Sequence, residues 1–148
     1  KKRDDSVDKL IALEHNLGLN RVDELIQFNT GISAIRDSLQ KLINSLKKEG
    51  KTIAGFGAPT KATTLMAHFG LNEKMLDFIV DDNPLKQGLF TPITHIPVLS
   101  AKALYDQKPD YLLILAWNFS EPIMKMHEKY SNEIGKFIIP MPEPRVVP

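Results

Sequence analysis

The segment Ile53-Ala-Gly-Phe-Gly-Ala-Pro-Thr-Lys-Ala-Thr-Thr64 holds the residues whose types and spacing point most clearly to chemistry. A short apolar run is interrupted by Gly55 and Gly57, and a proline, hydroxyl side chains and a lysine follow where a helix would begin. Closely spaced glycines let backbone N–H groups approach a ligand, and the N-terminal end of a helix attracts anions, so the segment predicts a phosphate-binding turn. The polar side chains around this turn are Thr60, Lys61, Thr63 and Thr64.

A simpler interpretation of the turn is also open. Gly55 and Gly57 could serve only a tight connection between a strand and a helix. A full dinucleotide-binding fingerprint has a third glycine, which would fall where this chain has Thr60. The hydroxyl of Thr60 could instead donate to a phosphate oxygen. Lys61 is an unfavourable choice for structure alone, because cations are disfavoured at the positive end of a helix, and we therefore favour phosphate contact.

Acidic residues follow the next predicted strand, in the segment Phe78-Ile-Val-Asp-Asp-Asn-Pro84. Carboxylates after the second strand of a nucleotide-binding sheet often accept hydrogen bonds from ribose hydroxyls, and this is the role expected of Asp81 or Asp82. The alternative is that they only cap the start of a loop. Lys86 and Gln87 lie farther along that loop, where they are either solvated or able to reach over a bound diphosphate.

Aromatic, amide and imidazole groups lie in two further connections. Trp117 and Asn118 follow the fourth predicted strand, and a tryptophan beside an amide is a good platform for a base or a sugar ring. Packing and helix capping are the plainer roles for this pair. His95 lies in a proline-bearing loop, where a structural role is favoured over catalysis. The four histidines lack the spacing of a metal site, and no serine lies in a hydrolase-type glycine-flanked turn, so we predict neither site.

Strands and helices alternate from Lys51 onward, after a helical N-terminal segment in which Asn20 is the expected N-cap and Gly31 a possible break. The predicted strands are Thr52–Gly55, Leu76–Val80, Pro97–Leu99, Tyr111–Ala116 and Lys136–Ile139. The predicted helices are Ser6–Leu17, Thr60–Phe69, Ala101–Asp106 and Ser120–Ile134, with two helices or one kinked helix between Asn20 and Glu49. Apolar strands that alternate with helices predict a parallel sheet. With strand order 3-2-1-4-5, the polar strand ends meet in a crevice between strands 1 and 4.

Composition limits the classes of function. The chain has 148 residues, of which 43% are hydrophobic and 25% charged, as in a typical globular domain. A net charge of +1 argues against nucleic acid or an anionic membrane as partner. The chain contains no cysteine, which excludes disulfides, thiolate zinc ligands and a cysteine nucleophile from it. No apolar run has the roughly 20 residues of a membrane span, and the expected location is the cytoplasm. Because the chain does not start with methionine, we expect it to be a piece of a longer protein.

Five motifs occur in an order that resembles one known family. They are Gly55-Phe-Gly-Ala-Pro-Thr-Lys61, Phe78-Ile-Val-Asp-Asp-Asn-Pro-Leu-Lys-Gln-Gly88, Thr94-His-Ile-Pro97, Asp110-Tyr-Leu-Leu-Ile-Leu-Ala-Trp-Asn-Phe119 and Phe137-Ile-Ile-Pro-Met-Pro-Glu-Pro144. From about residue 6 to its end, the chain resembles the C-terminal domain of S-adenosylmethionine-dependent C-methyltransferases that act on nucleotide-linked deoxysugars.

The resemblance implies a three-part enzyme, in which one upstream domain binds zinc, another binds S-adenosylmethionine, and the present domain helps to hold the nucleotide-sugar. No catalytic or metal-ligating residue is then assigned to this chain. Residues 1–50 are expected to form a helical lead-in that packs on a Rossmann-like domain, residues 51–148. The substrate-binding residues implied by the motifs and the resemblance are Gly55, Gly57, Ala58, Pro59, Thr60, Lys61, Thr63, Asp81, Asp82, Asn83, Lys86, Gln87, His95, Trp117, Asn118 and Glu143.

The expected fold is therefore an α/β, Rossmann-like three-layer domain with a mainly parallel sheet of about five strands, preceded by an N-terminal helical segment. Its expected partners are a nucleotide-diphosphate sugar and the upstream domains of the same enzyme, and alone it should be inactive. Two alternatives stay open. A nicotinamide- or coenzyme-A-binding module would use the same glycine turn, and a structural domain could keep the crevice after losing its ligand.

Overall fold

A computed structural model describes residues 4–148. The chain divides into two compact units, which meet in the sequence between Ala34 and Ile35. This boundary lies inside a helix and not at the end of the predicted lead-in, because the second half of that helix packs in the α/β unit. Within the described residues, no helix is both long and apolar enough to cross a membrane.

The first unit is helical. Helix α1 spans Ser6–Asn16, and helix α2, Val22–Lys48, begins in this unit. Gly18 lies between them with a φ of 69°, a left-handed conformation that glycine adopts easily. The prediction of Asn20 as N-cap is wrong, because α2 begins only at Val22 and the Asn20 amide nitrogen lies 3.1 Å from Nδ1 of His15.

The second half of α2 belongs to the α/β unit. Leu39, Ile43 and Leu46 recur at helical spacing, and all three side chains are buried. Gly31, the possible break, lies inside the helix, so the alternative of two separate helices is wrong. An exposed glycine inside a helix costs only about 1 kcal/mol, which the packed turns that follow it offset.

The α/β unit is built on a six-stranded sheet. Its strands are β1 (Ile53–Phe56), β2 (Phe78–Val80), β3 (Val98–Leu99), β4 (Tyr111–Ile114), β5 (Lys136–Ile139) and β6 (Arg145–Val147). Their order is β3-β2-β1-β4-β5-β6, and every neighbouring pair is parallel except β5 with β6. The predicted order of the five parallel strands is confirmed. Strand β6 was not predicted, because it lies between two prolines and two of its three residues are exposed.

Four helices follow the strands of this unit. They are α3 (Thr60–Phe69), α4 (Lys102–Gln107), α5 (Ser120–Met126) and α6 (Glu128–Glu133). Helix α3 has the predicted bounds. The prediction of a single helix over Ser120–Ile134 is wrong, because the backbone leaves the helical region at His127, with φ −110° and ψ 29°, and the side chain of this residue is buried.

The sheet lies between two helical layers. Ala54 and Phe56 of β1 belong to a buried cluster that includes Leu104 of α4, Ile123 of α5 and Tyr130 of α6. The alternate strand residues face the opposite side, where right-handed crossovers place α3 together with the buried part of α2. Strands β1 and β4 are neighbours in the centre, so their carboxyl ends form the point where the strand order reverses.

Candidate functional site

Two glycines shape the end of β1 and the turn that follows it, because neither position has room for a side chain. Gly57 has a φ of 87° and donates its N–H to Val80 O at 2.7 Å, and a Cβ at this position would meet Ala116 Cβ at 3.0 Å. At Gly55, which is buried in β1, an added Cβ would lie 2.9 Å from Cγ1 of Ile79. Gly57 is therefore needed for the left-handed turn, and Gly55 for close packing in the sheet.

Asp81 holds this turn from the end of β2. Its Oδ2 accepts the N–H of Ala58 at 2.7 Å and lies 3.2 Å from Nζ of Lys86, while Oδ1 accepts the N–H of Asn83 at 2.9 Å. Burial raises the pKa of the Asp81 carboxyl, which is only 8% exposed, but the two N–H donors and Lys86 outweigh burial and lower this pKa below its usual value. Asp81 is thus an ionised carboxylate engaged within the protein, whereas its neighbour Asp82 is exposed to solvent.

The backbone N–H groups of the turn fall into two sets. Those of Gly57 and Ala58 are paired within the protein, so they are not free to bind a phosphate. Pro59 has no N–H, and the N–H groups of Thr60 and Lys61 have no acceptor within residues 4–148. Two free donors therefore remain at the positive end of α3.

The turn separates two cavities, and alternate residues of the turn line opposite sides. The first, which we call the switch-point crevice, has a volume of about 290 Å³ and lies at the carboxyl ends of β1 and β4. Its lining includes Gly57, Pro59, Lys61, Asp81, Asp82 and Phe119. The second, which we call the loop cavity, has a volume of about 440 Å³ and lies beside α3. Its lining includes Ala58, Thr60, Thr63, Met66, Lys86 and Phe90.

Lys61 extends along the switch-point crevice toward the end of β4. Its Nζ donates to Asn118 Oδ1 at 2.8 Å and lies 5.2 Å from the ring centroid of Trp117 and 5.6 Å from that of Phe119. An amide oxygen and aromatic ring faces are neutral partners for an ammonium group. Within the described residues, no carboxylate lies within 4.0 Å of this Nζ. Lys61 therefore brings a positive charge to the crevice without an acidic partner.

The connection from β2 to β3 shapes the loop cavity. Gln87 Nε2 donates to Asp81 O at 2.9 Å, and Asn83 Oδ1 accepts the N–H of Leu85 at 3.0 Å. Lys86 Nζ donates to Ala58 O at 3.0 Å in addition to its contact with Asp81. These side chains tie the loop to the glycine turn, so the loop and the turn form one structural element.

A buried histidine lies beneath the crevice. His127 is 5% exposed, its ring centroid is 4.9 Å from that of the crevice residue Phe56, and its Nδ1 is 3.2 Å from Tyr105 Oη. Its Nε2 has no hydrogen-bond partner among residues 4–148. Burial lowers the pKa of His127, and the Asp82 carboxylate opposes this shift only in part, so the ring is neutral at neutral pH.

The structure divides the predicted site residues into four groups. Those at the switch-point crevice, directly or through Lys61, are Gly57, Pro59, Lys61, Asp81, Asp82, Trp117 and Asn118. Those at the loop cavity are Ala58, Thr60, Thr63 and Lys86. Those that shape the strand or the loop are Gly55, Asn83 and Gln87. Those that line neither cavity are His95 and Glu143.

Several residues of both cavities were not predicted from the sequence. Phe119 lines the crevice although it is 59% exposed, and Leu89 and Phe90 line the loop cavity. Consecutive apolar residues in an otherwise polar loop were the available signal for the last two. His127 was unrecognised because it lies in the middle of what the pattern predicts as one surface helix.

Comparison with known proteins identifies the family. A family model described as the C-methyltransferase C-terminal domain matches residues 1–142. C-methyltransferase NovU of Streptomyces niveus is 34% identical over 142 residues, which cover 96% of this chain and 34% of NovU. The chain thus spans about a third of the length of that relative. With the turn, both cavities and the whole parallel sheet inside the matched region, the chain belongs to the family of C-methyltransferase C-terminal domains.

Proposed function

We propose that this domain binds the nucleotide-diphosphate sugar substrate of an S-adenosylmethionine-dependent C-methyltransferase. The observation that carries the proposal is the position of Lys61 in the first turn of α3, where its ammonium has, among residues 4–148, the Asn118 amide oxygen and two aromatic rings as partners and no carboxylate. A cation is unfavourable at the positive end of a helix unless an anion joins it there. The diphosphate of a nucleotide-sugar is an anion of suitable size for this position.

The proposed ligand lies across the turn with its diphosphate at the start of α3. The free N–H groups of Thr60 and Lys61 lie there, and the Lys61 side chain extends its ammonium from the same turn of helix. Charge-assisted hydrogen bonds to phosphate are about twice as strong as neutral ones. The sugar extends into the switch-point crevice, where Phe119 offers an apolar ring and the exposed carboxylate of Asp82 can accept a hydrogen bond from a sugar hydroxyl.

The contribution of this domain to the reaction is orientation of the substrate. In the reaction that we propose, a base removes a proton next to a keto group of the deoxysugar, and the resulting carbanion attacks the methyl group of S-adenosylmethionine. We assign that base, the methyl donor and zinc to domains outside this chain. Fixing the sugar carbon close to the methyl group can supply a large part of the rate. We propose a cytoplasmic location for this enzyme and expect no activity from the chain alone.

Calorimetric titration with thymidine diphosphate, NAD and coenzyme A tests the proposal. We expect saturable binding of thymidine diphosphate, because it carries the nucleotide part of the proposed substrate. Lys61→Ala should weaken this binding by about 1.5–3 kcal/mol, which is the range for a charge-assisted hydrogen bond. Lys125→Ala is the matched control, because Lys125 is exposed on α5 and lines neither cavity.

Two results would contradict the proposal. Binding of NAD or coenzyme A without binding of thymidine diphosphate would indicate a dinucleotide- or coenzyme-binding module. Equal affinity of the Lys61→Ala and Lys125→Ala variants for thymidine diphosphate would remove Lys61 from the site. Thermal unfolding of both variants checks that the substitutions leave the fold intact.

A further inference from the structure

The loop cavity exists because the connection between two parallel strands lacks a helix. Residues 81–97 join β2 to β3 without a helix, whereas each of the other parallel connections carries at least one helix. A crossover helix would normally pack on the sheet beside α3. The loop leaves about 440 Å³ in that place, a volume within the range of small-molecule sites.

The walls of the loop cavity suit a flat ring with a few polar atoms. Its inner wall carries Met66 of α3 and Val98 of β3, both buried, and the loop contributes Leu89 and Phe90. The polar groups are fewer and lie along the side formed by α3 and the start of the loop. On that side they are the hydroxyls of Thr60, Thr63 and Thr64 and the ammonium of Lys86. A further hydroxyl in the lining, that of Thr91, already accepts the N–H of Ile96. Apolar walls with a few polar groups are typical of pockets for heteroaromatic rings.

The loop that closes this cavity has a defined conformation. Thr91 Oγ1 accepts the N–H of Ile96 at 2.9 Å and lies 2.7 Å from Thr94 Oγ1. The N–H of Val98 bonds Leu89 O at 2.8 Å. Ile93 has a φ of 68°, which a β-branched residue rarely adopts unless its surroundings impose it. The cavity is therefore preformed.

The two cavities lie on opposite sides of the turn. Ala58 and Thr60 line the loop cavity, while Pro59 and Lys61 line the switch-point crevice. A diphosphate at the start of α3 therefore has one cavity on each side, and the two groups that it links can each occupy one. A sugar ring with hydroxyl and keto groups would leave these groups unpaired against the apolar walls of the loop cavity.

We infer that the loop cavity is the pocket for the nucleobase of the nucleotide-sugar, so that base and sugar lie on opposite sides of the glycine turn. This inference rests on the proposed function. The aromatic ring of the base packs against Met66, Val98 and Phe90, and its polar edge faces the hydroxyls of Thr60 and Thr63. Lys86, fixed by Asp81 and Ala58 at the mouth, faces the ribose and the phosphate next to it.

Inorganic pyrophosphate and thymidine diphosphate, titrated into the same protein, separate the base from the diphosphate. Thymidine diphosphate should bind at least tenfold more tightly than pyrophosphate, because only the former fills the cavity. Thr63→Phe, which fills the cavity from α3, should abolish this difference and leave pyrophosphate affinity within about twofold. Ala67→Phe is the control, because Ala67 is an exposed residue of the same helix outside the cavity, and this variant should keep the difference.

A conservative variant at the same position provides a second test if Thr63→Phe fails to fold. Thr63→Val keeps the shape of the side chain and removes its hydroxyl, and we expect a loss of about threefold to tenfold for thymidine diphosphate with no change for pyrophosphate.

The outcomes distinguish the inference from the function on which it rests. Equal affinity of the original protein for the two ligands, or a difference that survives Thr63→Phe, would overturn the base pocket and leave the diphosphate site standing. No binding of either ligand would overturn both.

Discussion

The parallel strands all begin on one side of the sheet and end on the other, and we call these sides the amino edge and the carboxyl edge. Lysine and aspartate side chains have different partners at the two. At the amino edge, Lys47 pairs with Asp77 at 2.9 Å, and Asp77 also accepts the N–H of Ile53. Lys51 pairs with Asp110 at 3.3 Å in the same manner, and Asp110 accepts the N–H of Thr52, the residue before β1. Both of these ammonium groups have a carboxylate partner, and each of the two carboxylates also fixes the backbone next to a strand.

The carboxyl edge is only partly matched in this way. Asp81 pairs with Lys86 and accepts two backbone N–H groups, whereas Asp77 and Asp110 each pair with a lysine and accept one. Among residues 4–148, the partners of the Lys61 ammonium are all neutral. The matched pairs fix the backbone next to strands, whereas the unmatched cation supports our proposal that a ligand binds beside Lys61.

The largest effect on stability is expected at Asp81, on the carboxyl edge. Asp81→Ala leaves two backbone N–H donors and the Lys86 ammonium without their acceptor, so the free energy of unfolding should fall by about 2–4 kcal/mol. Chemical denaturation measures this change. Asp82→Ala, at the exposed neighbouring position, should change stability by less than about 0.5 kcal/mol. Equal effects of the two substitutions would show that Asp81 does not hold the turn.

A smaller effect on stability is expected at the amino edge. Asp110→Ala removes acceptors from the N–H and the hydroxyl of Thr52, and stability should fall by about 1–2 kcal/mol while thymidine diphosphate affinity stays unchanged. Asp106→Ala is the control, because it breaks only an exposed ion pair with Lys102 and should cost about 0.5 kcal/mol or less. If Asp110→Ala weakened ligand binding as strongly as Lys61→Ala, the functional distinction between the two edges would be lost.

The smallest effect concerns the pH dependence of stability. His127 has a folded-state pKa below its ordinary value of 6.5. Between these two pH values, the unfolded chain therefore binds a proton at this residue more readily than the folded chain does. Its contribution to stability is complete above pH 6.5 and is lost as the pH falls toward the folded-state pKa, by about 1.4 kcal/mol for each pH unit between the two values. Between pH 5 and pH 7.5, the denaturation midpoint of His127→Phe should therefore depend less steeply on pH than that of the original protein. His68→Gln, at an exposed position, should keep the original slope, and identical slopes in both variants would refute the account of His127.

Much of the fold could be predicted because its signals are local. Two glycines and a proline mark the end of β1 and the start of α3, and the bounds of α3 follow from its apolar period and from Gly70, which ends it in the left-handed conformation. The near-continuous apolar runs of β2, β4 and β5 indicate strands buried on both faces. These patterns were sufficient to predict the strand order and the position of the crevice.

The assignment of alternate turn residues to two separate cavities could not be predicted in the same way. It depends on which way each side chain of the turn points, and this is decided by the φ of Gly57 and by the pairing of Ala58 with Asp81. The sequence shows an acid at the end of β2 but not that its partner is a backbone N–H 23 positions earlier. The contact between Lys61 and Asn118 likewise joins residues that only the tertiary fold brings together.

A crystal structure of the protein with a bound nucleoside diphosphate tests the central claim most directly. We predict a phosphate oxygen about 2.7–3.2 Å from Nζ of Lys61 and from the N–H nitrogens of Thr60 and Lys61, with the Asn118 contact of Lys61 replaced or shared. A diphosphate bound elsewhere, with Lys61 still donating to Asn118 alone, would contradict the account.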